Sequence, residues 1–185
     1  MSNRCWGGTP ARTPARLWLP DLAGRVALVG MGQELRGDDA AGVIVARAMQ
    51  ALLEEHQPAA SASRWLAVDA GPAPENFTGL LRRFRPDVVV VVDAAHMGER
   101  AGAVGCLDWQ AAGGLSASTH TLPLHVLAQY LTTELDCRLV LIGIQPGNSE
   151  LGACLSPPVR AAVEYVVTAL AYALSVNGGP GKISR

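Results

Sequence analysis

Charge of one sign is what this sequence conspicuously lacks. Lys and Arg number 15 against 16 Asp and Glu, for a formal net charge of −1. Nucleic acids and anionic membranes are held mainly by a basic surplus, so neither is expected as a partner. Aromatic residues make up 5% of the chain, too few to suggest base-stacking platforms. No apolar run reaches the roughly 20 residues needed to span a bilayer. The N-terminal segment interleaves Arg4, Arg12, Arg16 and Arg25 with no unbroken apolar stretch, which does not fit a signal peptide. Cys5, Cys106, Cys137 and Cys154 form no CxxC pair, which argues against a zinc ribbon or a thioredoxin-type dithiol. HExxH and GxSxG are missing too, so the common zinc-protease and serine-hydrolase signatures are absent. A cytoplasmic protein with reduced thiols is expected.

What is present is apolar and periodic. Hydrophobic residues make up 49% of 185, enough for one domain with its own core. Residues 1–24 mix Gly, Pro, Thr and Arg without periodicity and read as a flexible extension; residues 177–185 read as a flexible tail. Between them, 25–176 alternates two patterns. Arg25–Gly30 is a short β run, Asp39 to about Leu53 an apolar helix, Trp65–Asp69 a second strand and Glu75–Phe84 a short helix. Asp87–Asp93 holds five consecutive valines, as suits a strand buried on both faces of a parallel sheet. Ala103–Leu107 is a weaker strand. Leu124, Leu127, Leu131 and Leu135 mark a helical stripe, Arg138–Ile144 is a buried strand, and Val159, Val163, Val166, Leu170 and Leu174 mark the last helix. Ser156 is placed to cap that helix, with Pro157 and Pro158 in its first turn. Five strands alternating with helices predict α/β layers around a mainly parallel sheet.

In such sheets ligands sit beyond the carboxyl ends of the strands. After the first strand comes Gly30–Gly42, GMGQELRGDDAAG. Its glycines permit a tight turn, and Asp38 and Asp39 open the next helix. One adjacent acid can cap backbone amides while its neighbour, about 100° round the helix, faces the cleft. Asp38 is the more natural cap, which leaves Asp39 freer for chemistry. The glycines also invite a dinucleotide-binding reading. However, Asp69 lies about twice as far downstream as the usual ~20 residues, and two carboxylates would oppose a pyrophosphate. After the second strand, Asp69 and Glu75 read as loop caps that could also serve the site. Asp93 ends the valine strand where ligands bind, with His96 beside it as a competing ligand. His120 precedes the leucine-striped helix. Two carboxylates and one imidazole would suit zinc, nickel, manganese or iron better than copper(I).

VALVGMGQELRGDDAAG, VDAGPAPENF, RPDVVVVVDAAHMG, STHTLPLHVLAQYL and LIGIQP occur together, in order and with consistent spacing. This set resembles the hydrogenase maturation endopeptidases, and most closely the type serving hydrogenase 3 of formate hydrogenlyase systems. The resemblance covers roughly four-fifths of the chain. It implies a three-layer α/β/α sandwich with a twisted, mostly parallel five-stranded sheet. It implies a metal site at Asp39, Asp93 and His120, and a catalytic role for Asp38 and Asp39. It makes His96, at a position where relatives vary, a poor ligand candidate. It further implies removal of the C-terminal tail from a nickel-loaded nickel–iron hydrogenase large-subunit precursor. The nickel would be carried by that precursor, or another divalent ion would occupy the isolated protein. Two mechanisms follow: the metal polarises the scissile carbonyl or supplies hydroxide, or it only tethers while Asp38 activates water. Gln33 in place of the usual Asn, and Ala40 in place of the usual Gly, are small departures in the first loop. A binding-only chaperone of the precursor is the alternative from another functional class.

Overall fold

The computed structural model describes Leu19 and residues 22–56, 64–108 and 124–177. Five strands, β1 (Val26–Met31), β2 (Trp65–Gly71), β3 (Val88–Ala94), β4 (Val104–Leu107) and β5 (Arg138–Ile144), form one sheet in the order β2-β1-β3-β5-β4. The first four in that order are parallel, and β4 runs antiparallel on the β5 edge. Four helices, α1 (Ala41–His56), α2 (Thr78–Phe84), α3 (Leu124–Leu135) and α4 (Pro157–Asn177), cover it.

Side-chain alternation divides the core into two clusters. Val26 and Leu28 of β1, with Val88, Val90 and Val92 of β3, pack among residues of α1 and α4. Ala27, Val29 and Met31, with Val89 and Val91, join Leu81 of α2 and Leu127 and Leu131 of α3. The valine run is thus one strand feeding two cores, which explains why it lacks polar alternation. The expected α/β/α sandwich with a mostly parallel five-stranded sheet is the fold observed.

Several boundaries differ. Leu22 is buried and Leu19 packs against the same cluster, so the domain takes in residues assigned to the extension. The helices expected from Asp39 and Glu75 each begin as a 3-10 turn, Gly37–Ala40 and Pro74–Phe77. The segment Pro157–Val176 is long and apolar enough by composition to cross a membrane, contrary to the expectation that no run would be. Its Val159, Val163, Val166 and Leu170 are nonetheless buried against the sheet, which makes α4 a core helix.

Two glycines set where α1 meets the sheet. A Cβ on Gly42 would collide with the carbonyls of Val92 and Met31, so only glycine lets the helix start press onto the ends of β1 and β3. Gly32, at φ +137°, passes over the backbone of Asp39 where a side chain would strike its carbonyl.

Candidate active site

The chain leaves β1 to reach β2 on one side, then returns to β3 on the other side of β1. The connections through α1 and α2 lie on opposite faces, so a crevice opens beyond the carboxyl ends of β1 and β3. Asp38 and Asp39 follow β1, and Asp93 is the next-to-last residue of β3. All three are buried, at 0%, 0% and 1% exposure. Buried carboxylates require hydrogen bonds or a cation.

Asp38 meets that requirement with hydrogen bonds. Its Oδ2 accepts from the backbone N–H of Gly147 (2.8 Å) and Asn148 (2.9 Å) and from the Ser156 hydroxyl (2.8 Å). Its Oδ1 accepts from Ser156 N–H at 2.6 Å. Its own N–H donates to the Asn148 carbonyl at 2.9 Å. Asp38 therefore caps no amide of its own turn. It anchors the loop between β5 and α4 and fixes Ser156, whose carbonyl accepts the α4 N–H of Arg160 at 2.9 Å.

Asp39 points its carboxylate elsewhere: Oδ2 accepts the Gln33 N–H at 3.0 Å, across the glycine loop. Asp93 lies level with Gly143 of β5. Asp39 and Asp93 thus end two neighbouring strand connections at the switch in strand order. His120 falls within 109–123, outside the described residues, as does Cys5. Among the described residues no cluster of three metal-binding side chains forms. Two buried carboxylates are a donor set compatible with a divalent ion of hard or borderline character.

Two side chains that the sequence reading did not single out organise the rim. Gln145, after β5, accepts the Met97 N–H at 2.7 Å and the Glu99 N–H at 3.3 Å through Oε1. Its Nε2 donates to the Pro146 carbonyl at 3.1 Å and faces His96 Nδ1 at 3.5 Å. The exposed His96 is thereby part of the loop after Asp93. Arg47 of α1 grips Glu34 through two hydrogen bonds (2.7 and 3.0 Å) and Asp69 through a third (2.7 Å). Asp69 also accepts the Gly71 N–H at 3.1 Å, as a loop cap does. The hydrogen bonds and charge of Arg47 lower the Glu34 pKa. The same bonds to Glu34 and Asp69 raise that of Arg47. No local pattern marks either residue, because each binds groups on other segments. Cys137 and Cys106 do not suit nucleophilic catalysis: Cys137 is buried, its thiol is pushed up chiefly by desolvation, and Cys106 shifts the same way for the same reason.

The class defined here is a three-layer α/β domain with buried carboxylates at its switch point. Residues 43–173 match the family model for hydrogenase maturation protease (HycI). The chain is 32% identical to the hydrogenase 3 maturation protease of Escherichia coli K12 over 75% of its own length and 84% of that protein. The crystal structure of a hydrogenase maturation protease, HycI from Thermococcus kodakarensis, superposes with a TM-score of 0.73 at 34% identity, covering 82% of this chain and 93% of the other. The solution structure of an Escherichia coli endopeptidase, HycI, gives 0.68 at 29% identity, covering 86% and 96%. The protein belongs to the hydrogenase maturation protease family.

Proposed function

We propose that this protein removes the C-terminal tail from a nickel-loaded nickel–iron hydrogenase large-subunit precursor, with Asp39, Asp93 and His120 meeting the precursor's nickel. The observation that carries the reading is the pair of buried carboxylates, Asp39 and Asp93, beyond adjacent parallel strands in a member of a protease family. The reaction is hydrolysis of one peptide bond in the cytoplasm, and the precursor is the protein partner.

The residues divide into two roles. Asp39 and Asp93 present negative charge to a cation in the crevice, and His120 completes the set. The Gln33 N–H orients Asp39 from one side. A divalent ion held by Asp39, Asp93 and His120 would supply Lewis acidity toward the scissile carbonyl. Asp38 is the candidate base of the alternative in which the metal only tethers. Four hydrogen bonds already engage its two oxygens, which supports a positioning role: Asp38 fixes the β5–α4 loop beside Asp39. Asp39 keeps the catalytic assignment as the acid that touches the metal.

The test is cleavage of nickel-loaded against nickel-free precursor, read as mass loss at the precursor C-terminus, with wild type and His120→Ala in parallel. Tail loss with nickel and wild type alone is the expected result. Equal cleavage of nickel-free precursor would remove nickel from the reading. Full activity of His120→Ala would remove His120 from the site.

A further inference from the structure

Six large apolar side chains are exposed among the described residues. Val126, Tyr130, Tyr172 and Val176 lie on the outer sides of α3 and α4. The other two, Leu35 and Leu151, are 65% and 75% exposed and lie on loops at the carboxyl end of the sheet. Leu35 is in the β1–α1 loop, between Gln33, which holds Asp39, and Asp38. Leu151 is in the β5–α4 loop, which Asp38 anchors. A backbone hydrogen bond joins the loops where the leucines stand: Gly152 N–H donates to the Leu35 carbonyl at 2.7 Å. Gly152 takes φ +80°, so the turn that presents Leu151 is one that L side chains rarely adopt.

An exposed leucine alone needs no explanation. Here two are held outward side by side by the same hydrogen bonds that organise the site. The anchoring at Asp38, Gly37 and Gly152 holds these backbones in place.

We propose that Leu35 and Leu151 form an apolar docking point for the hydrogenase large-subunit precursor beside the scissile bond. This rests on the function proposed above. The occupant follows from continuity: Leu35 shares the β1–α1 loop with Asp39, and the loop bearing Leu151 is tied to it through Asp38 and the Leu35 carbonyl, so the leucines adjoin the site that the precursor's peptide bond must reach. The complementary surface is an apolar patch on the precursor, next to the tail. Buried in the complex both before and during hydrolysis, the leucines contribute binding shared by ground and transition states.

The experiment is steady-state tail removal from nickel-loaded precursor by the full chain. Wild type, Leu35→Ser/Leu151→Ser and the control Tyr172→Ser/Val176→Ser are compared. The double loop variant is expected to raise KM about tenfold or more while kcat at saturation is kept; the control leaves both unchanged. If the double variant unfolds, the single Leu151→Ser variant carries the test, with KM expected to rise about threefold. An unchanged KM with active wild type overturns the docking point and leaves the protease reading standing, as does a fall in kcat alone or an equal KM rise in the control. A wild-type dimer that the loop substitutions dissociate in sedimentation would assign the leucines to a second copy of this chain and overturn the proposal. Failure of wild type to cleave any loaded precursor overturns the protease reading, and the docking point with it.

Discussion

The two ends of the sheet handle charge in opposite ways. At the carboxyl end, Asp38, Asp39 and Asp93 are buried, and the loops around them are tied by hydrogen bonds from backbone amides. At the amino end, Arg25, Arg82, Arg83 and Arg85 line an open cleft of about 740 Å³. There the Arg25 guanidinium lies 4.5 Å from the centre of the Phe84 ring, and Arg82 reaches Tyr130 and Glu134 in pairs exposed on both sides. The cleft's charges are solvated and its ion pair is of the weak surface kind. The carboxyl end instead buries its carboxylates, at a cost in desolvation. Charge retained against that cost points to function more strongly than volume does.

The largest effect tests that contrast directly. Asp93→Asn is expected to cut tail removal by about a hundredfold or more, whereas Arg83→Ala/Arg85→Ala at the other end leaves the rate within about twofold. Rates of precursor cleavage by the two variants check this, and the reverse ranking would break the comparison.

Within the carboxyl end, Asp38 is an anchor, and the proposed function makes Asp39 the reagent. Asp38→Asn removes a charged acceptor from amides that stay buried, so a loss of about 2–4 kcal/mol in unfolding free energy is expected from urea titration. Asp39→Asn is expected to cost less stability and more activity. Equal stability losses would erase the distinction.

The smallest effect concerns Arg47 and Glu34. The side chains are 47% and 59% exposed, so the pair contributes only a few tenths of a kcal/mol. The folded-state pKa of Glu34 is lowered from its ordinary 4.5. That stability is therefore present above about pH 4.5 and is lost as pH falls through the lowered value. The thermal midpoints of wild type and Glu34→Gln should differ slightly at pH 7 and converge as the pH falls through the lowered value. A gap that widened in acid would show that the pair does not work this way.

Much of this was legible in the sequence because its signals are local. The valine run, the apolar stripes of α3 and α4, and the turn glycines each announce an element within a few residues. The acids could be placed because strand ends are where open α/β sheets put their ligands. The division of labour between the neighbouring aspartates was half legible. Pattern favoured Asp38 as the capping acid, but the amides it serves belong to Gly147, Asn148 and Ser156, and no local pattern reaches that far. The antiparallel pairing of β4 was hidden for the same reason, since its register is set by β5. Leu22 was missed because one buried leucine among prolines and arginines has no period to reveal it. Gln145 and Arg47 bind across loops and were equally invisible.

The partners of Asp38 lie 109 to 118 residues downstream. A growing chain emerging from the ribosome carries both aspartates of the first loop long before it carries Ser156. Until the β5–α4 loop has been made, Asp38 lacks these partners and the first loop is not pinned to the last. The first loop thus gains its last anchors only when most of the described domain has been made.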